Sequence, residues 1–141
     1  MIFEILATLC AGLFAGAAIY VSAVEHPARL SCGTALALRE FAPSYRRGAV
    51  MQASLAVVGL VASIAAWWHA GRVGFLVAGL LLGANVPFTL LGILPTNHRL
   101  LAADLAPDSA EATHLLRRWG WLHAVRSVLG TLAFGILIVV R

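Results

Sequence analysis

Trp119-Gly120-Trp121-Leu122-His123-Ala124-Val125-Arg126-Ser127-Val128-Leu129-Gly130-Thr131-Leu132-Ala133-Phe134-Gly135-Ile136-Leu137-Ile138-Val139-Val140 is the stretch whose reading decides the fold. A helix needs about 20 apolar residues to cross the hydrocarbon core of a bilayer. The run from Leu122 to Val140 meets that length with one charged side chain, Arg126. An imidazole and a guanidinium near the mouth of such a run, His123 and Arg126, are costly unless they have partners or a task.

Three further runs of the same kind precede it, so the expected spans are 2–24, 49–68, 73–94 and 122–140. Of the 141 residues, 61% are hydrophobic and 11% charged, and mean hydropathy is +0.91. These values belong to the membrane class and not to soluble domains. Backbone groups in lipid must be satisfied within the segment, so the runs are read as helices. The predicted fold is a single all-α domain, an integral membrane four-helix bundle. A short interfacial helix is expected in loop 1, from Thr34 to Phe41, with Pro43 opening the second span. A cytoplasmic extension of helix 4 is expected to start at Pro107-Asp108-Ser109-Ala110-Glu111, which reads as a capping box.

The first run is read as a retained transmembrane helix, because Glu4 stands where a signal peptide would carry a basic residue. Glu25-His26-Pro27 is expected to end it and Pro95 to end the third, since proline breaks the hydrogen-bond ladder. Pro87 is expected to kink the third helix. Gly12–Gly16 and Gly79–Gly83 are small-xxx-small pairs suited to packing within the bundle, and they also allow a homo-oligomer.

All ten basic residues are arginines, and the net charge is +4. They form no basic stripe interleaved with aromatics, so no nucleic-acid partner is expected. Arg29, Arg39, Arg46, Arg47, Arg99, Arg117 and Arg118 flank loops 1 and 3, against Arg72 and Arg141 on the other side. The positive-inside rule therefore puts loops 1 and 3 in the cytoplasm and both termini outside, in a membrane of the bacterial inner (cell) membrane kind. Cys10 and Cys32 lie across one helix from each other, so no disulfide is expected, and no CxxC metal motif is present.

Alternating helices bring the end of helix 1, the start of helix 2, the end of helix 3 and the start of helix 4 to one side. Glu25, His26, Tyr45, Gln52, Asn97, His98, Trp119, His123 and Arg126 should therefore meet at one depth. Asn85 and Thr89 share a face of helix 3, where they are read either as bundle hydrogen-bonders or as ligand contacts. Three readings are open. In a catalytic pocket, a histidine is the base, Arg126 and Asn97 hold an oxyanion or enolate, and Trp119 and Tyr45 stack on an aromatic substrate. In the second, Glu25, His26, His98 and His123 hold a metal or haem in a protein that binds a lipophilic ligand without catalysis, although no helix carries an HxxxH or ExxH pair. In the third, Glu25 and Arg126 form a buried ion pair that pins two helices.

Four groups of residues carry a family resemblance. They are Glu25-His26-Pro27, Pro43-Ser44-Tyr45-Arg46-Arg47, Pro95-Thr96-Asn97, and Trp119 with Leu122, His123 and Arg126. Across nearly its whole length the chain resembles the small integral-membrane family that includes the fungal anthrone oxygenases. The resemblance implies a four-helix membrane protein that oxidises a lipophilic aromatic substrate with molecular oxygen and no cofactor. On matching positions it implies His123 or His26 as the base, Arg126 and Asn97 as holders of the anion, and Glu25 as the group that orients a histidine. The expected partners are the lipid bilayer and a lipophilic small molecule.

Overall fold

A computed structural model describes residues 1–140, so the arginine expected at the chain end, Arg141, lies outside the described residues. Four long helices account for almost all of the chain: α1 (Ile2–Ser31), α2 (Thr34–Ala70), α3 (Val73–Leu100) and α4 (Ala110–Val140). Each is long and apolar enough to cross a membrane. No strand occurs among the described residues. Each helix packs against its sequence neighbours, and α4 closes the ring on α1.

The first two links are short, and in each a glycine takes a positive φ that other residues resist. Gly33, between α1 and α2, has φ +91°, and Gly71, between α2 and α3, has φ +68°. Ser109 caps α4 by accepting a hydrogen bond from the Ala112 N–H at 3.1 Å. The expected capping box is thus a simple serine cap, because Glu111 turns away to Arg99, which donates to it through Nε at 2.6 Å and Nη2 at 3.0 Å.

Three local expectations are corrected. Thr34–Phe41 is helical, but it is the opening of α2 and not a separate interfacial helix. Pro43 lies inside that helix, where its ring removes one ladder bond near exposed Arg39, whose carbonyl can be solvated instead. Neither Pro27 nor Pro95 ends its helix. In α1 a π-helical turn over Val21–Glu25 precedes Pro27, and the His26 N–H donates to the Val21 carbonyl. In α3 a second π-turn, Thr89–Ile93, precedes Pro95. The wider turns absorb the steric conflict of a proline with the preceding carbonyls, and both helices run on for another turn or two.

The core falls into two parts. Ala7, Ala11, Phe14, Ala18, Ala56, Ala66, Phe75, Ala78 and Leu82 fill the half near the chain ends, where small side chains let the helices approach closely. Phe41, Ile93, Leu100, Leu105, Leu116 and Trp119 fill the arginine-rich half. Outside, Leu13, Val50, Val61, Leu91, Val128 and Val139 are among many large apolar side chains that are exposed, more than a soluble monomer shows. Trp68 and Trp121 are among the most exposed of these large side chains, as expected of interfacial tryptophans.

Gly59 shows how tight the first half is. A Cβ there would stand 2.4 Å from Leu82 Cδ2 and 3.0 Å from Cys10 Cβ. Gly59→Val is therefore expected to cost about 1–3 kcal/mol through overpacking. A midpoint of thermal unfolding in detergent unchanged from the parent would show that the three helices are not closely packed there.

Candidate functional site

Beyond Asn85, α2 and α3 part, and the space between the two core clusters is a cavity of about 720 Å³. All four helices line it. Glu25 and Arg29 come from the end of α1, and Tyr45, Gln52 and Ala56 from α2. Asn85, Thr89 and Asn97 come from α3, and Trp119, His123 and Arg126 from α4. Nine of the eleven residues singled out in the sequence thus line one space: His123, Arg126, Glu25, Asn97, Trp119, Tyr45, Gln52, Asn85 and Thr89.

The other two, His26 and His98, are placed elsewhere. The extra residue of the π-turn rotates the rest of α1, and His26 lines a smaller crevice of about 300 Å³ with Ser22, Leu30, Arg117, Gly120, Trp121 and Ala124. Its ring packs on Gly120, where an added Cβ would lie 2.7 Å from it, and on Trp119, 5.1 Å between ring centroids. His98 is exposed and also lies outside the cavity.

On α4, Trp119 and His123 are one turn apart and stack at 4.8 Å between centroids, 26° between planes. Phe41 meets Trp119 edge-on and stacks on Tyr45 at 5.7 Å. This aromatic set forms one wall. His123 is buried, and its Nδ1 is 3.0 Å from Ser22 Oγ of α1. Arg126 lies 5.5 Å over the Phe14 ring. Its Nε has no hydrogen-bond partner, and no carboxylate reaches ion-pair distance of it among the described residues. Asn97 is fully buried with both side-chain amide atoms unpartnered, and Asn85 Oδ1 is unpartnered too. Asn85 Nδ2 donates back to the Leu82 carbonyl at 3.0 Å, and Thr89 to the Asn85 carbonyl at 2.7 Å. Buried polar atoms without partners are uncommon, and a group of them around one cavity is how a protein readies a place for a ligand's oxygen atoms.

The expected Glu25–Arg126 ion pair does not form. Because α1 continues past Pro27, Arg29 arrives one turn after Glu25 and pairs with it instead. The Arg29 side chain is 5% exposed, so its charge needs compensation. Glu40 of α2 supplies a second carboxylate, 2.8 Å from Nε but not aligned as a hydrogen bond. Ser44 donates to Glu25 at 2.7 Å and accepts from Arg29 at 3.3 Å. Arg29 also lies 5.7 Å over the Trp119 ring. Among the described residues, no three His, Cys, Asp or Glu side chains gather in a set that could hold a metal ion.

Two groups were not singled out in the sequence. Ser127 is joined to Ser22 at 2.8 Å and to the Ala18 carbonyl at 2.9 Å. Arg29 joins α1 to α2 through Glu40. A serine four residues after His123, on the same helical face, was the available signal for the first. The second depended on a helix that ran through a proline.

The family model described as anthrone oxygenase matches residues 41–136. The chain is 32% identical over 132 residues to anthrone oxygenase tpcL of Aspergillus fumigatus, a match covering 86% of this chain and 82% of that protein. No solved structure matches the chain. With the family model spanning more than half of its length and a relative at that identity over most of both proteins, this four-helix chain of membrane-spanning character belongs to the anthrone oxygenase family.

Proposed function

We propose that this protein oxidises a lipophilic anthrone-type substrate with molecular oxygen inside the cavity, with His123 as the base and no bound cofactor taking part. The arginine-rich end that carries the cavity faces the cytoplasm, by the positive-inside rule. The observation that carries the reading is the composition of the cavity wall. One face is a stack of Tyr45, Phe41, Trp119 and His123. The same space is lined by a guanidinium without a counter-ion, Arg126, and an amide with no partner, Asn97. Such a site suits a flat polycyclic phenol that becomes an anion. Exposed Met51 and Leu90 are also among the lining residues, so the cavity meets the apolar surface and can be entered from the bilayer.

The chemistry balances with these groups alone. The Nε2 atom of His123 takes one proton from the ring CH₂ that lies opposite the carbonyl. The carbanion delocalises onto the carbonyl oxygen, where Arg126 and the Asn97 Nδ2–H donate to it. Oxygen accepts two electrons as it bonds to the ring carbon, giving a hydroperoxide after protonation by the imidazolium. Loss of the second ring proton and cleavage of the O–O bond release water and leave a second carbonyl. The CH₂ group loses four electrons, and O₂ supplies one oxygen atom to the quinone and one to water.

An oxygen electrode and quinone absorbance test this directly, with purified protein in detergent and an anthrone as probe. We expect quinone formation well above spontaneous oxidation, with one O₂ consumed per quinone. A rate equal to that of protein-free detergent would overturn the reading, and so would release of hydrogen peroxide in place of water.

A further inference from the structure

We infer that Ser22 and Ser127 fix the tautomer of His123, so that the neutral ring carries its proton on Nδ1 and keeps Nε2 as the free base. The inference rests on the reading of His123 as the base, but its first observable does not depend on turnover.

A count of protons fixes the direction of the hydrogen bonds. Three contacts run in series across the α1–α4 interface. His123 Nδ1 is 3.0 Å from Ser22 Oγ. Ser22 Oγ is 2.8 Å from Ser127 Oγ. Ser127 Oγ is 2.9 Å from the Ala18 carbonyl oxygen. Each contact needs one proton, and each serine brings one. A carbonyl oxygen only accepts, so the last contact must use the Ser127 proton. Ser22 must then donate to Ser127. Nothing remains for the first contact except a proton on His123 Nδ1, which donates to Ser22. The other carbonyl near Ser127, that of His123 at 3.4 Å, is also only an acceptor and leaves the direction unchanged. The opposite direction would leave Ser127 Oγ against the Ala18 oxygen with no proton between them, at a site where both His123 and Ser127 are buried.

The consequence falls on the other ring nitrogen. The hydrogen bond of the His123 ring to the protein is made by Nδ1, and the ring lines the cavity. The lone pair of Nε2 is therefore the one available to a substrate. When Nε2 takes a proton, the Nδ1–H···Ser22 bond becomes charge-assisted and shortens, so the chain stabilises the imidazolium as it forms. Trp119, stacked on the ring, restrains its plane. Ser22 and Ser127 are positioning residues; neither lines the large cavity.

Histidine side-chain nitrogen NMR on protein labelled with ¹⁵N-histidine reads the tautomer, with the His123 signals identified by their loss in His123→Gln. At a pH high enough that no histidine signal moves further, we expect the Nδ1–H form in the parent and in Ser127→Thr. In Ser127→Ala the proton of Ser22 is released to point at Nδ1, and the ring should shift toward the Nε2–H form. Ser22→Ala, made on the other helix, should remove the preference as well, and it keeps the test open if Ser127→Ala does not fold. On an anthrone probe we expect kcat to fall about 100-fold in Ser127→Ala with KM little changed, because general-base catalysis is worth at least about that much. An Nε2–H ring in the parent overturns the inference. So does an Nδ1–H ring that persists in both alanine variants. Whether an anthrone is oxidised at all is read separately by oxygen uptake, and it bears on the reaction and not on the tautomer.

Discussion

His123→Gln is expected to lower turnover on an anthrone by about 10²–10⁴-fold, the range spanned by positioned general bases, while KM stays close to that of the parent. Glutamine approximates the ring in size, so the contact with Ser22 and the packing on Trp119 need not collapse. The variant removes the proton acceptor and leaves the guanidinium of Arg126 and the amide of Asn97 in place. Oxygen uptake at saturating probe isolates this effect from binding. The comparison that gives the result its meaning is His26→Gln. His26, of the Glu25-His26-Pro27 motif, is also a buried histidine, but it lines the smaller crevice and touches Trp119 from there. We expect it to retain turnover within a few-fold. A variant pair with these outcomes exchanged would move the base to His26 and discard the geometry proposed for the reaction.

The second large effect concerns stability. Replacing both Glu25 and Glu40 by glutamine leaves the Arg29 guanidinium, 5% exposed, beneath Trp119 with no carboxylate. Stranding one member of a buried ion pair costs about 3–5 kcal/mol. The lower part of that range is expected here, because Glu25 and Glu40 are themselves 26% and 45% exposed and solvent screens part of the attraction. Each single change should cost less than half of the double change, since the remaining carboxylate still faces the cation. Adding Arg29→Met to the pair should recover most of the loss. Thermal unfolding in a fixed detergent measures all four variants. Strictly additive single losses, with no recovery on removing the cation, would show that Arg29 is solvated and not held by the pair.

Much of this architecture was legible in the sequence because the membrane constrains it so strongly. Four apolar runs of spanning length, with their charges confined to the connections, leave few alternatives to a bundle of alternating helices. Alternation alone placed Glu25, Tyr45, Asn97 and His123 at one level, and they do line one cavity. Proline hid the rest. The dipeptides His26-Pro27 and Leu94-Pro95 read as helix ends, yet each is preceded by a π-turn that lets the helix continue. That continuation carries Arg29 back to Glu25 and leaves Arg126 without a counter-ion. It also turns His26 away from the cavity it was expected to share with His123. A π-turn has no strong residue signature, since its stability comes from the way neighbouring helices accommodate it. The serine chain was missed for a related reason: the serines lie 105 residues apart, and only the packing of α1 on α4 brings them together.

The π-turns make the number of residues in a helix matter as much as their identity. Each turn holds one residue more than the α-helical ladder needs, so it behaves as an insertion of a single amino acid into an otherwise regular rod. Removing exposed Ala23 would let α1 close into a continuous α-helix. Because the turn already absorbs that residue, the side chains beyond it would keep their places, with His26 following Val21 as an ordinary α-helical neighbour in place of the π-type one. Arg29 would stay over Trp119 and Ser22 beside His123. Removing a residue from the regular helix beyond the turn, such as exposed Ala28, would instead rotate Arg29 by about a quarter turn and take it from Trp119. The π-turn of α1 is thus a slack link: a residue lost there leaves the ion-paired rim of the cavity in register with its histidine, and a residue lost beyond it does not.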